Sequence, residues 1–197
     1  MKPRGTDRGQ AWTFDALLML ALMVAGIVYA TQLLPVHDSR AVVTDFAEAQ
    51  LEQDASDLLA VSAATTDLLN ATVYWNDSAG NWVHADSSGV YTRVPPGHPL
   101  EVPFSSVFDR RAIGNNVEVE YRTLVGESSV HRMVYQGTPG AHGVSVASTV
   151  VIYDDTHLVN QDDNTTVENT TSFYAPDVFP DSRKYNVVRV RIVAWRR

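Results

Sequence analysis

The sequence predicts an α+β protein in which a long N-terminal membrane helix is followed by an amphipathic helix packed on a small antiparallel β-sheet. Three observations predict this fold class. Residues 16–34 form an apolar run without charge, residues 41–71 carry apolar side chains three or four positions apart, and short alternating runs follow. A helix buries one apolar stripe and a sheet one apolar face, so the second helix and the sheet are expected to cover each other.

The apolar run 16–34 is the first predicted element. It has 19 residues, and a helix of that length covers roughly the 30 Å hydrocarbon core of a bilayer. Positive residues dominate before it, so we expect a cytoplasmic N-terminus and a single-pass protein of the cell membrane. This interpretation divides the chain into a basic cytoplasmic leader (1–15), a transmembrane helix (16–34) and an extracellular α+β head (36–197).

Asp15 stands directly before the apolar run. A carboxylate at membrane depth costs on the order of 1 to 3 kcal/mol unless it is paired, so a partner is expected. A secretory signal peptide cleaved after Ala30 is one alternative, although an acid in this position is unusual for that class. An uncleaved membrane anchor is the other alternative.

The stretch from Arg8 to Leu18, RGQAWTFDALL, resembles the start of a haloarchaeal type IV pilin-like membrane protein. Such precursors have a short basic leader that ends in a small residue, then a few neutral residues, an acid and a long apolar helix. The resemblance implies that a prepilin-type peptidase cuts between Gly9 and Gln10. It also implies that Asp15 is the assembly acid, paired with the new N-terminal amine of a neighbouring subunit.

Two features depart from the family pattern. Aspartate replaces the usual glutamate, and cleavage after Gly9 makes Asp15 the sixth residue of the mature chain where the fifth is common. Cleavage after Gln10 restores the spacing but leaves an unfavourable residue before the bond. The resemblance covers only about 30 of the 197 residues.

The charged residues are unevenly distributed among the four charged residue types. The net charge is −8, and the chain has 16 Asp and 7 Glu against 13 Arg and 2 Lys. Such a composition is typical of proteins from extremely halophilic archaea, because short carboxylates hold hydration where salt screens their repulsion. An ordinary acidic extracellular protein is the alternative. The acidic balance argues against nucleic acid as a partner, and the absence of cysteine excludes disulfides and thiol catalysis.

The rest of the sequence predicts the secondary structure of the head domain. The segment 41–71 lacks glycine and proline and reads as one amphipathic helix, with a separate acidic row at Asp45, Glu48 and Glu52. One or two helical turns are predicted within 103–111, and a long polar surface loop is predicted over 154–180. Six segments have the alternation and β-branched content of antiparallel strands: 81–84, 89–94, 116–124, 129–135, 144–153 and 185–195.

Four sequons predict N-glycosylation candidates, which are Asn70, Asn76, Asn164 and Asn169. Residues 160–164 resemble the start of a calcium loop, but Thr165 and Thr171 stand where glycine and glutamate are needed. The acidic pair Asp154-Asp155 is interpreted as solvated.

No histidine pair has metal-ligand spacing, and no nucleophile or phosphate-loop motif is present. We therefore predict no catalytic residue, no metal and no cofactor. The C-terminal arginines are expected either to pair within the chain or to be solvated on an edge strand. The alternative is a contact with the acidic face of a neighbouring subunit.

The predicted function is that of a structural, pilin-like subunit, major or minor, of an archaeal type IV pilus-like filament or secretion pseudopilus. The expected partners are the membrane, a prepilin-type peptidase, and other pilin-like subunits or further copies of this chain. No small-molecule substrate is evident. The alternative is a single-pass, membrane-anchored extracellular binding or sensor domain that does not polymerise.

Overall fold

The computed structural model describes residues 39–108, 113–140, 142–159 and 165–197, together with residues 19, 22 and 23, which are helical. In the helix that begins at Ser39, the described side chains start at Asp45. The chain divides into two compact units, Met1–Thr44 and Asp45–Arg197. The second unit holds all the strands of the described residues.

The described elements are three α-helices, one 3-10 turn and six antiparallel strands. The helices are α1 (Ser39–Ala64), α2 (Asp67–Thr72) and α3 (Glu101–Val107), with one 3-10 turn at Val167–Asn169. The strands are β1 (Trp75–Asn76), β2 (Asn81–Trp82), β3 (Ile113–Arg122), β4 (Ser128–Val134), β5 (Val144–Tyr153) and β6 (Lys184–Arg196). Strands β1 and β2 form a short hairpin, and the larger sheet has the order β4-β3-β6-β5 with every pair antiparallel.

The core lies between α1 and one face of the larger sheet. Four apolar residues of the described part of α1 are buried at helical spacing, Leu51, Ala55, Leu58 and Leu59. Every second residue of β6, from Val188 to Ala194, is fully buried in the same cluster. Burial of one such leucine contributes about 1.5–3 kcal/mol, so the helix is held on the sheet mainly by this apolar contact.

The predicted fold class was wrong about a long N-terminal membrane helix. Within the described ranges, no helix combines the length and the apolar composition that crossing a bilayer requires. Helix α1 has 26 residues, which is long enough, but it carries Arg40 and five carboxylates from Asp45 to Asp57, and each would cost several kcal/mol in hydrocarbon. The segment 16–34, on which that prediction rested, lies outside the described residues except for 19, 22 and 23.

The single helix predicted over 41–71 is two helices. Helix α1 ends at Ala64, and Thr66 adopts a left-handed backbone with φ of 66° before α2 begins. The Thr65 hydroxyl donates hydrogen bonds to the Val61 carbonyl at 3.1 Å and to Asp67 Oδ2 at 2.7 Å. Threonine hydroxyls compete with the helical ladder in this way, and a left-handed residue ends it.

The predicted strand at 89–94 forms only one bridge in the structure, between Tyr91 and Val134. The Tyr91 N–H donates to the Met133 carbonyl at 2.8 Å, and its carbonyl accepts the Tyr135 N–H at 2.8 Å. The Tyr91 hydroxyl donates to the Val83 carbonyl at 2.5 Å. The residues after Tyr91 do not continue this pairing, and Pro95 and Pro96 have no N–H with which to resume it.

The polar segment predicted as a surface loop over 154–180 is packed at several points. Leu158, Val167 and Ala175 are buried, and the Val159 N–H donates to the Val73 carbonyl at 3.0 Å. The segment therefore covers one end of the core although its composition is polar.

Candidate functional site

The residues predicted for processing and assembly, Gly9, Gln10 and Asp15, lie outside the described residues. The candidate sites that the structure does describe are three of the four sequons, five of the six histidines, the acidic pair and the C-terminal arginines.

The described sequons differ in accessibility. Asn70 lies in α2, and the threonine of its sequon, Thr72, is fully buried with its hydroxyl donating to the Leu69 carbonyl at 2.7 Å. Asn76 is half-buried in β1, and its Oδ1 accepts the Ala79 N–H at 3.1 Å. Asn169 is exposed in the 3-10 turn. The folded chain thus presents Asn169 best, and Asn164 lies outside the described residues.

Asp77 connects the β1–β2 hairpin to the polar segment. Its Oδ1 accepts the backbone N–H groups of Thr171 and Ser172, each at 2.9 Å, and its backbone carbonyl accepts the Ser172 hydroxyl at 2.5 Å. Desolvation opposes ionisation of this carboxyl, but the hydrogen bonds from Thr171 and Ser172 outweigh it and lower the pKa of Asp77. Asp77 is therefore a structural clamp, and sequence reasoning missed it because its partners lie more than ninety positions away.

The buried His98 and the half-buried His131 are packed among aromatic rings. The His131 ring lies parallel to that of Tyr174 with centroids 5.5 Å apart and also contacts Trp75 and Trp82. Burial lowers the pKa of His131 and that of His98. Within the described part of the chain, no three histidine, aspartate or glutamate side chains are grouped so as to hold a metal ion. Residues 160–164, whose resemblance to a calcium loop was rejected on the sequence, fall outside that part.

The acidic pair predicted to be solvated is only partly so. Asp155 is exposed, whereas Asp154 is half-buried and its Oδ1 has no hydrogen-bond partner among the described residues. Burial, together with the nearby Asp177 and Asp155 carboxylates, raises the pKa of Asp154 against the opposing charge of Arg183. The contacts that the structure describes around this pair include no nucleophile, so we interpret the pair as structural.

Among the described residues, two of the C-terminal arginines form ion pairs within the chain, and Arg197 donates a hydrogen bond to Gln136 Oε1. Arg183 Nη2 donates to Asp155 Oδ2 at 2.9 Å. Arg191 pairs with Glu118, which also has Arg132 Nε at 3.9 Å. Arg189 and Arg196 are exposed. The intramolecular interpretation thus holds for Arg183 and Arg191.

One side of α1 is left uncovered by the sheet. Phe46 is 76% exposed and Val61 is 59% exposed. Val61 lines a groove of about 630 Å³ between α1 and α3, which also includes Val102, itself 75% exposed, and the carboxylates Asp54 and Asp57. We call this surface the α1–α3 groove. It combines exposed apolar side chains with acids on its rim.

The chain belongs to a family of unknown function, DUF7288, whose model matches residues 8–194. The matched range includes the whole compact unit except its last three residues, as well as the apolar segment. No curated protein and no solved structure matches the chain.

Proposed function

We propose that this chain is a structural, pilin-like subunit, major or minor, of an archaeal type IV pilus-like filament or secretion pseudopilus. The observation that carries the proposal is that the two sides of α1 have different surroundings. One side of the helix is seated on an antiparallel sheet through Leu51, Leu58 and Leu59, while the other side exposes Phe46 and Val61. A helix with a packed side and an exposed apolar side suits a subunit that contacts both its own head and a neighbour.

The apolar N-terminal segment supplies the second support. Residues 16–34 carry no charge and follow a basic leader. In the proposed mechanism, a prepilin-type peptidase removes the leader after Gly9, and the apolar segments of neighbouring subunits then pack together. Asp15 pairs with the N-terminal amine of the next subunit, so that no charge is left unpaired among apolar side chains. Repeated head-to-tail contacts of this kind produce an open helical polymer.

The same proposal places the protein at the cell membrane and in a surface filament, with the compact unit 45–197 outside the cell. It assigns the chain no catalytic activity and no cofactor. Its partners are the membrane, the peptidase and other pilin-like subunits or copies of itself, not nucleic acid, in keeping with the net charge of −8.

The substitution Asp15→Ala tests the proposal against a membrane-anchored domain that does not polymerise. In a filament subunit, loss of the carboxylate leaves the neighbour's amine unpaired, so assembly into sedimentable filaments is expected to fall about tenfold or more. Asp7→Ala removes a carboxylate from the leader and is the matched control, for which assembly is expected to be unchanged. Failure of the wild type to form sedimentable filaments would favour the non-polymerising domain, and equal assembly of all three proteins would contradict the role given to Asp15.

A further inference from the structure

A cavity of about 280 Å³ lies between α3, the beginning of β3 and residues 93–96. Its apolar wall includes Val94, Phe104 and Phe108, all of which are buried. Arg93, Glu101, Asn115 and Gln136 bring polar groups to the same space. We call it the Asn115 cavity, because that side chain carries the argument.

The cavity exists because strands β3 and β4 separate. Their pairing shifts register between Val117 and Glu118, and Val117 opposite Val134 is the last pair. Beyond it, side chains replace the backbone ladder. The Gln136 N–H donates to Asn116 Oδ1 at 2.8 Å, and Asn116 Nδ2 donates to the Gly137 carbonyl at 2.8 Å. This substitution widens the gap between the strands and leaves room beside Asn115.

Asn115 is only 4% exposed. Its backbone N–H donates to Gln136 Oε1 at 3.2 Å. Its side-chain Oδ1 is buried and has no hydrogen-bond partner among the described residues. A buried acceptor that no donor satisfies is costly. A molecule in the cavity that donates a hydrogen bond to Oδ1 would remove this cost.

The other polar groups define what kind of molecule fits. Gln136 Oε1 already accepts from Asn115 and from Arg197. One oxygen of the Glu101 carboxylate accepts the Gly97 N–H at 2.8 Å, and this carboxylate and Asn115 Oδ1 both require donors from a ligand. A carboxylate or a fully ionised phosphate has no hydrogen to donate to them, and the positive charge of Arg93 on the cavity wall disfavours an ammonium ligand. A hydroxyl group can both donate and accept.

We propose that the Asn115 cavity binds a small polyhydroxylated molecule of monosaccharide size. One hydroxyl donates to Asn115 Oδ1, another lies towards Glu101, and the C–H surface of the ring packs on Phe104 and Phe108. The volume of about 280 Å³ lies just below the roughly 300–1,000 Å³ of sites for drug-sized ligands, which favours a single sugar ring. The site lies wholly in the head domain and does not depend on whether the chain polymerises.

The test uses the full-length chain in a detergent without a sugar head group. Saturation-transfer NMR is recorded with glucose, galactose, mannose and N-acetylglucosamine as separate probes over a millimolar titration. At least one probe is expected to give a saturable signal and to raise the Tm of the protein. If none of the four gives a saturable signal, the proposal is wrong.

A matched pair of serines in α3 provides the control. Ser105 lines the cavity and its hydroxyl donates to the Val102 carbonyl at 3.0 Å, whereas Ser106 lies on the α1–α3 groove and its hydroxyl donates to the Pro103 carbonyl at 2.7 Å. Ser105→Phe fills the cavity and is expected to abolish binding, and Ser106→Phe to preserve it. A saturable signal that persists in Ser105→Phe would overturn the proposal.

The substitution Asn115→Leu tests the hydrogen bond to the ligand separately from the volume of the cavity. It removes the unpaired acceptor with little change of volume, so the fold is expected to be retained while affinity falls about tenfold. Thermal unfolding of each variant without probe confirms folding before binding is scored. Unchanged affinity in folded Asn115→Leu would contradict the role given to Asn115 Oδ1.

Discussion

At the scale of single residues, His98 shows how the fold constrains an ionisable group. Its ring lies 4.9 Å from that of Tyr74 and 5.5 Å from that of Tyr91, measured between centroids. His98 Nδ1 accepts the Leu100 N–H at 3.1 Å, so the neutral ring carries its proton on Nε2. Burial lowers the pKa of His98 from 6.5 to about 4. Protonation would place a charge in an aromatic setting and remove the acceptor for Leu100.

This lowered pKa predicts an acid-sensitive fold. The unfolded chain binds the proton more tightly than the folded chain, so stability is complete above pH 6.5 and is lost as the pH falls towards 4. The loss from this one group reaches about 3 kcal/mol at pH 4, since one pKa unit corresponds to about 1.4 kcal/mol. Denaturant unfolding between pH 7 and pH 4 measures it.

The control variant is His98→Gln, which keeps a side-chain acceptor but has no group that titrates in this range. Its free energy of unfolding is expected to fall less with acid than that of the wild type. Substitution of the exposed His157 by glutamine is expected to leave the change in the free energy of unfolding with pH as it is in the wild type. Identical slopes for wild type and His98→Gln would show that His98 does not cause the acid sensitivity.

At the scale of elements, the exposed side of α1 carries the proposed contact between subunits. Because Phe46 is 76% exposed, Phe46→Glu is expected to change the Tm of the isolated subunit by little, since exposed substitutions usually stay within about 0.5 kcal/mol. Filament assembly is expected to fall severalfold, as the substitution places a charge in an apolar contact. Sedimentation of filaments measures the effect.

Val125→Glu is the matched control for this experiment. Val125 is 80% exposed in the turn between β3 and β4, so it presents as much apolar surface away from α1. Assembly is expected to be preserved in this variant. A loss of assembly in Val125→Glu equal to that in Phe46→Glu would show that added charge alone is responsible.

The sequence predicts the elements whose side chains follow one period throughout. The spacing of Leu51, Leu58 and Leu59 indicates the packed side of α1, and the alternation from Val188 to Ala194 gives the buried face of β6. The same spacing also placed Phe46 on the packed side of α1, which was wrong, since Phe46 is 76% exposed. The break at Thr66 and the irregular path near Tyr91 depend on local side-chain hydrogen bonds and on distant partners. Periodicity contains no information about either.

The candidate sites were harder to predict than the fold. The Asp77 clamp joins residues far apart in the chain, and the Asn115 cavity arises from a register shift between β3 and β4. Neither leaves a motif in the sequence. The membrane helix was predicted mainly from the apolar character of residues 16–34. The helix that the structure describes most fully is α1, which carries charged residues and packs on the sheet.

At the scale of the whole molecule, the net charge of −8 predicts salt-dependent stability. Repulsion among the carboxylates opposes the compact state, and salt shortens the range of that repulsion from about 10 Å at 0.1 M to about 3 Å at 1 M. The Tm of the protein is expected to rise by several degrees when KCl is raised between these concentrations. Sucrose, which stabilises folded proteins without screening charge, is the control. An equal rise in sucrose and in KCl would rule out screening as the cause.

The N-terminal residue of the mature protein tests the central claim most directly. The protein is purified from the membranes of its native cells, and its N-terminus is determined by intact-mass measurement and sequencing. A start at Gln10 or Ala11 is the predicted result, because a pilin-like subunit loses its basic leader before assembly. A retained Met1 would contradict the account and leave a plain anchored domain, and a start near Thr31 would contradict it by showing a secreted protein.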